Sequence, residues 1–166
     1  MDVEAAIRAR RTHKQYGPQP VSNETLRALL DLARFAPNHK LTQPWRFRVL
    51  GPAIRAQIEN LAGEKEAAKL RRAPTLVLAT AALSGDPHVD EEDLHATACT
   101  VYAILLGATA RGLTTIESSS ARAIGRRRRK TFSISFIGSK VLCGRVGRQK
   151  KSPCNSSWAL HFRRSA

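Results

Sequence analysis

The chain of 166 residues has few cysteines, few aromatic residues and no long apolar run. Its three cysteines form no C-x-x-C pair, which argues against a disulfide framework, a zinc ribbon and a thioredoxin-type motif, and favours a reducing compartment. No apolar stretch approaches the roughly 18 residues that a membrane span needs. The first twenty residues lack the apolar region of a secretory signal. We therefore expect a cytoplasmic protein without a membrane partner.

Acidic residues are missing altogether from the last part of the chain. Residues 1–117 hold 15 Lys and Arg against 13 Asp and Glu, a net of +2, whereas residues 118–166 hold 13 Lys and Arg and no acid, a net of +13. Serine also becomes more frequent at this position, with two before residue 118 and ten from it onward. The sequence therefore predicts two regions, residues 1–116 and residues 117–166.

The first region alternates helix and strand patterns, which predicts an α/β domain. Apolar residues between positions 26 and 33 recur at helical spacing, and Ser22 has the position and chemistry of their N-cap. Alternation over Trp45–Leu50 indicates a half-buried strand, in which Trp45 and Phe47 are expected to anchor the core. The apolar run Thr75–Ala81 indicates a buried strand.

A long helix is predicted next, with Asp90 as N-cap and Gly112 as the C′ residue. Residues 90–93 and His95 have the side chains of a metal site. Acids at a helix start also complement the helix dipole, and on that ground we expect no metal. Cys99, on the apolar and small part of this helix, is expected to be a buried structural thiol.

Two segments of the first region carry the motifs with most information. Residues 7–16 read Ile-Arg-Ala-Arg-Arg-Thr-His-Lys-Gln-Tyr, and residues 36–47 read Ala-Pro-Asn-His-Lys-Leu-Thr-Gln-Pro-Trp-Arg-Phe. Together they resemble the FMN-dependent NAD(P)H nitroreductase family, in the branch with an Asn-His-Lys loop. Arg72-Ala73-Pro74 before a strand and Ala110-Arg111-Gly112-Leu113 after a helix match as well. The resemblance is collinear over about residues 1–116, and the rest does not match.

The resemblance implies an α/β (α+β) fold with a central mixed or antiparallel sheet flanked by helices. It implies an oxidoreductase in which NAD(P)H reduces FMN and a nitroaromatic, quinone or similar acceptor reoxidises it, without a catalytic protein residue. It also implies a homodimer with a shared flavin site. Cationic and hydroxyl donors suit the FMN phosphate and flavin edge, and the residues that match the family's cofactor-binding positions are Arg10, Arg11, Thr12, Lys14, Asn38, His39 and Lys40.

Structural interpretations compete for the same residues. The segment 10–14 has the composition of a solvated helix end, where cations complement the dipole. The segment 38–40 has that of a polar loop. Phe35 lies where this branch can place a cofactor contact, but its spacing favours a core position.

The second region leaves three alternatives. Glu117-Ser118-Ser119-Ser120 departs from the family pattern, and we hypothesise that residues from about 117 are translated from a shifted reading frame, which would leave the enzyme inactive. In the second alternative this is a real basic tail that binds nucleic acid non-specifically. In the third the chain is a remnant with neither property. A five-residue basic run at 126–130 and a strand pattern at Thr131–Ile137 are the features that we distinguish here.

Overall fold

The computed structural model describes residues 1–13, 15–118 and 132–139. Chain order gives α1, α2, a 3₁₀ turn, β1, α3, α4, β2, α5, β3 and β4. Their bounds are Val3–Ala9, Asn23–Asp31, Leu32–Phe35, Trp45–Val49, Pro52–Leu61, Glu64–Arg72, Thr75–Ala81, Pro87–Ala110, Leu113–Ser118 and Phe132–Ser139. Among the described residues, none of these helices is both long and apolar enough to cross a bilayer.

The four strands form one sheet in the order β1-β2-β4-β3, and every neighbouring pair is antiparallel. Helices cover both faces of this sheet. The predicted α+β fold with a helix-flanked antiparallel sheet is therefore confirmed.

Strand β2 divides the core between the two faces because successive side chains point to opposite sides of a strand. Val77 belongs to a cluster built from α2 and α5, and Ala79 packs with Val101 and Leu105 of α5. Leu76 and Leu78 belong to a cluster on the other face, built with α3 and α4. The prediction of a strand at Thr75–Ala81 buried on both faces is confirmed.

Three helix ends were predicted from capping residues in the sequence, and two of these predictions are confirmed. The Ser22 side chain caps α2 by accepting the N–H of Thr25 at 3.2 Å, and Gly112 has the positive φ of 73° expected at a C′ position. The prediction of Asp90 as N-cap is wrong, because α5 begins at Pro87 and the Asp86 side chain is the cap.

Asp90 instead holds the loop before α5. Its carboxylate accepts the N–H groups of Ser84 and Gly85 and the Ser84 hydroxyl. Desolvation raises the pKa of Asp90, but these hydrogen bonds outweigh it and hold the pKa below its ordinary value.

Two burial predictions are wrong. Cys99 is exposed, because the helix face that carries it is not the face that packs on the sheet. Phe35 is 79% exposed at the end of the 3₁₀ turn, whereas Trp45 and Phe47 pack against the core as predicted.

Strand β4 comes from the second region and lies inside the sheet, between β2 and β3. The strand predicted at Thr131–Ile137 is thus confirmed, one residue later and two residues longer at its end. Strand β3 runs to Ser118 and so crosses the boundary predicted at 116/117. The division into two regions stays a prediction.

Candidate functional site

The first basic segment leaves α1 and runs beside the outer strand β3. Arg10 ends the helix, and its backbone N–H donates to the Ala6 carbonyl at 2.9 Å. Thr12 forms a parallel bridge with Thr115, and the N–H of His13 donates to the Thr115 carbonyl at 3.2 Å. The backbone of this segment is therefore fixed to the sheet, while the Thr12 side chain stays exposed.

The two arginines of this segment differ in what their guanidinium groups bind. Nη1 of Arg11 donates to the carbonyls of Arg8 and Arg10, at 2.6 and 2.7 Å, and so satisfies the carboxyl end of α1. Arg10 is half-buried, and within the described residues its guanidinium makes no hydrogen bond or ion pair. Arg11 thus serves the helix end, whereas Arg10 is a cation open to a ligand. Lys14 lies outside the described residues.

The second basic segment belongs to a compact loop at residues 38–43. Asn38 shapes it: Oδ1 accepts the N–H of Gln43 at 2.8 Å, and Nδ2 donates to the Thr42 hydroxyl at 3.2 Å. Leu41 and Gln43 have positive φ values of 51° and 45°, a backbone state that non-glycine residues rarely adopt. Asn38 therefore has a structural task inside the loop in addition to any ligand contact.

Acidic residues of α5 hold this loop. His39 Nδ1 lies 3.4 Å from the Glu92 carboxylate, and Lys40 Nζ lies 4.0 Å from it, all on exposed side chains. The Thr42 hydroxyl donates to Oδ1 of Asp93 at 2.5 Å, and Asp93 is only 5% exposed. No sequence motif points to Thr42. Glu92 and Asp93 lie in the acidic run 90–93, for which the sequence predicts only an interaction with the helix dipole.

The two segments lie at different places on one protomer. Residues 10–13 lie beside β3, whereas the loop at 38–43 comes just before β1 in the chain. Strands β3 and β1 are the two outer strands of the sheet. Three strand spacings of about 4.8 Å separate outer strands by about 14 Å. In the described part of the chain, no hydrogen bond or ion pair joins residues 10–12 to residues 38–40. The arrangement offers two cationic surfaces, each fixed to the same sheet and helix framework.

The fold and these surfaces define an α+β protein with a helix-flanked antiparallel sheet and two cationic surfaces, and comparison with known proteins shows what it is similar to. Residues 7–69 match the family described as the Nitroreductase family. The 4-nitrobenzoate reductase of Pseudomonas putida is 32% identical over 62 residues, which are 37% of this chain and 27% of that protein. The chain matches 21 to 27% of the length of such curated relatives.

Solved structures resemble the fold of this chain over a larger share of its length than the curated relatives match in sequence. A nitroreductase-like protein from Bacillus cereus has a TM-score of 0.72 at 22% identity, over 90% of this chain and 92% of that one. A nitroreductase-type protein from Desulfovibrio desulfuricans, solved in complex with FMN, has a TM-score of 0.66 at 26% identity, over 89% and 91%. Residues 7–69 are thus similar in sequence to the Nitroreductase family, and the fold of the chain is that of solved nitroreductase-type proteins.

Proposed function

We propose that the chain is an FMN-dependent oxidoreductase that passes electrons from NAD(P)H to a nitroaromatic, quinone or similar acceptor. The observation that carries the proposal is the position of the family match, since residues 7–69 enclose both basic segments. The Desulfovibrio desulfuricans relative was solved with FMN, and the Pseudomonas putida relative is a nitroaromatic reductase. These names support a flavin cofactor and a nitro acceptor for this chain.

The side chains present have the donor chemistry that FMN needs. Arg10, the remaining N–H groups of Arg11 and the Thr12 hydroxyl suit a dianionic phosphate, because guanidinium groups bind phosphate with charge-assisted, bidentate hydrogen bonds. Lys40 places positive charge on an exposed loop and His39 adds a ring nitrogen there, and we assign both with Asn38 to the ring edge. When bound, FMN supplies the two-electron redox chemistry between NAD(P)H and the acceptor. The protein residues bind and orient it and set its electrostatic surroundings.

Exposed apolar side chains next to both segments support a homodimer. Val3 and Ile7 lie on α1, ahead of Arg10, and are 72% and 47% exposed. Phe35 and Leu41 lie beside and within the loop and are 79% and 78% exposed. Large exposed apolar side chains near a polar site are typical of an interaction surface. We propose that a second copy covers them and that the flavin site is shared between subunits.

A visible spectrum tests the proposal directly. The chain, purified at high salt to remove nucleic acid, is expected to show a flavin band, or to acquire one on addition of FMN, and then to oxidise NADH or NADPH. Arg10→Gln is expected to weaken FMN binding at least about tenfold, because it removes a charged hydrogen-bond donor. Arg27→Gln, an exposed arginine on α2, is the matched control. A folded protein that stays colourless with excess FMN would contradict the proposal.

Nucleic-acid binding is a second candidate, favoured by the 13 cations and no acids of residues 118–166. Such binding should be non-specific and should weaken steeply as salt rises, because phosphate contacts release counterions. A gel-shift titration at several salt concentrations measures the slope. A flat salt dependence would remove this candidate without affecting the first.

A further inference from the structure

A cleft of about 440 Å³ lies on the α3 and α4 side of the sheet, beside the turn that follows the first basic segment. Three arginines line it: Arg55 of α3, and Arg71 and Arg72 at the end of α4. Tyr16, Gly17, Pro18 and Pro20 of the turn before α2 also line it. The volume falls within the range of about 300–1,000 Å³ typical of small-ligand sites.

Two of the arginines are fixed in position by acids. Arg55 is only 22% exposed; its Nε donates to Glu59 at 3.0 Å, and its Nη2 donates to the Leu70 carbonyl. Arg71 lies 4.0 Å from Glu59 and pairs with Glu64. Because Glu64 is 83% exposed, its pair with Arg71 is weak and can open at little cost.

Arg72 is the cation that lacks an acid. Its Nε donates to the Ala68 carbonyl at 3.2 Å, and within the described residues no carboxylate pairs with its terminal nitrogens. The nearby Tyr16 phenol is neutral at neutral pH and so supplies no negative charge; burial raises its pKa further, to about 12, although the positive charge of Arg72 opposes this rise. Among the side chains that the structure describes here, three guanidinium groups therefore face two carboxylates, an excess of one positive charge.

We propose that this cleft binds a small phosphate-bearing anion through the guanidinium groups of Arg71 and Arg72. The terminal nitrogens of Arg72 have the planar geometry that pairs with two phosphate oxygens. Arg71 becomes a second donor when the ligand displaces Glu64, while Arg55 and Glu59 keep the framework in place. Tyr16 connects the cleft to the first basic segment, because its hydroxyl donates to the His13 carbonyl at 2.9 Å. The proposal still does not depend on flavin binding, since Arg71 and Arg72 are not among the residues assigned to FMN.

Calorimetric titration with inorganic pyrophosphate, at about 0.15 M salt to screen the basic second region, tests the proposal. Arg72→Gln should weaken binding at least about tenfold, because it removes a charged donor. Glu64→Gln should strengthen binding up to about fivefold, because it frees Arg71 from an exposed pair. Arg27→Gln, on the other side of the sheet, should bind like the unmodified chain, and thermal melts establish that each variant is folded.

The outcomes separate this site from the other cationic surfaces. Equal binding by all variants would place pyrophosphate on the basic second region and overturn the proposal. Binding that is lost in Arg10→Gln and blocked by FMN would place it at the proposed flavin site, which also overturns it. If the unmodified chain does not bind pyrophosphate, the proposal is overturned as well. Binding that survives Arg10→Gln and fails in Arg72→Gln supports the cleft even if the chain binds no FMN.

Discussion

The hydrogen bond between Thr42 and Asp93 is expected to fix the loop at 38–43 to helix α5, and its removal can be tested directly. Thr42→Val removes the hydroxyl that donates to the buried carboxylate at 2.5 Å and keeps the side-chain shape. Among the described residues, no other group donates to the Asp93 side chain. The variant therefore leaves a 5%-exposed carboxylate without its donor.

The expected cost follows from the charge on the acceptor. A hydrogen bond to a charged group contributes about 1.5–3 kcal/mol, and a buried acceptor left unsatisfied keeps its desolvation penalty. Thr42 itself is exposed, so the loop can open and admit water, which places the expected loss near the lower limit, at about 1.5–2 kcal/mol. For a chain of this size, that loss lowers the melting temperature by about 3–8 °C.

Urea unfolding followed by circular dichroism measures the loss, with Thr109→Val as control. Thr109 lies on the same helix, α5, and its hydroxyl bonds the Leu105 carbonyl, so its removal should cost less than about 0.5 kcal/mol. Combining Thr42→Val with Asp93→Asn should cost less than the sum of the two single changes, because the residues interact. Thr42→Val with a stability equal to that of the control would refute the role assigned to this contact.

Four further changes test other parts of the structure. Leu29→Ala, at a fully buried core position, should cost about 2–5 kcal/mol in urea unfolding. Asp90→Asn should destabilise the protein at neutral pH but not in acid. Because the pKa of Asp90 is lowered in the folded state, its stabilising effect is present above the unfolded pKa of about 3.9 and is lost as the pH falls through the folded pKa. The unfolding curves of the two proteins should therefore converge below about pH 4. Phe35→Asp should convert the proposed dimer to a monomer, as measured by light scattering. Ile134→Pro removes a ladder N–H from the inner strand β4 and should abolish the cooperative thermal transition.

Most of the first region could be predicted because its signals are local. The alternation over Trp45–Leu50 and the apolar run Thr75–Ala81 fell on strands, and Ser22 lay at the start of its helix. The N-cap of α5 was misjudged although a local signal existed, since Pro87 suits the first helical position after Asp86. Two aspartates four residues apart both satisfy a capping pattern, and the proline distinguishes them.

The orientation of α5 and the anchoring of the loop could not be predicted in the same way. Helix α5 contains small and apolar residues on most sides, so its pattern does not determine whether Cys99 faces the sheet or solvent. The contacts of His39 with Glu92 and of Thr42 with Asp93 join residues 53 and 51 positions apart. Such pairs depend on tertiary packing, which brings the loop to α5, rather than on any spacing in the sequence.

The place of β4 shows why fold and function have to be tested separately in this chain. β4 comes from the region that the sequence predicts to depart from the family pattern, yet it completes the sheet between β2 and β3. Sheet pairing uses backbone N–H and C=O groups that every residue except proline carries, so a strand of altered sequence can still fill an inner position. A ligand site depends instead on particular side chains. A well-folded protein would therefore establish the sheet without establishing the flavin site, and the spectrum with added FMN is needed to decide the second question.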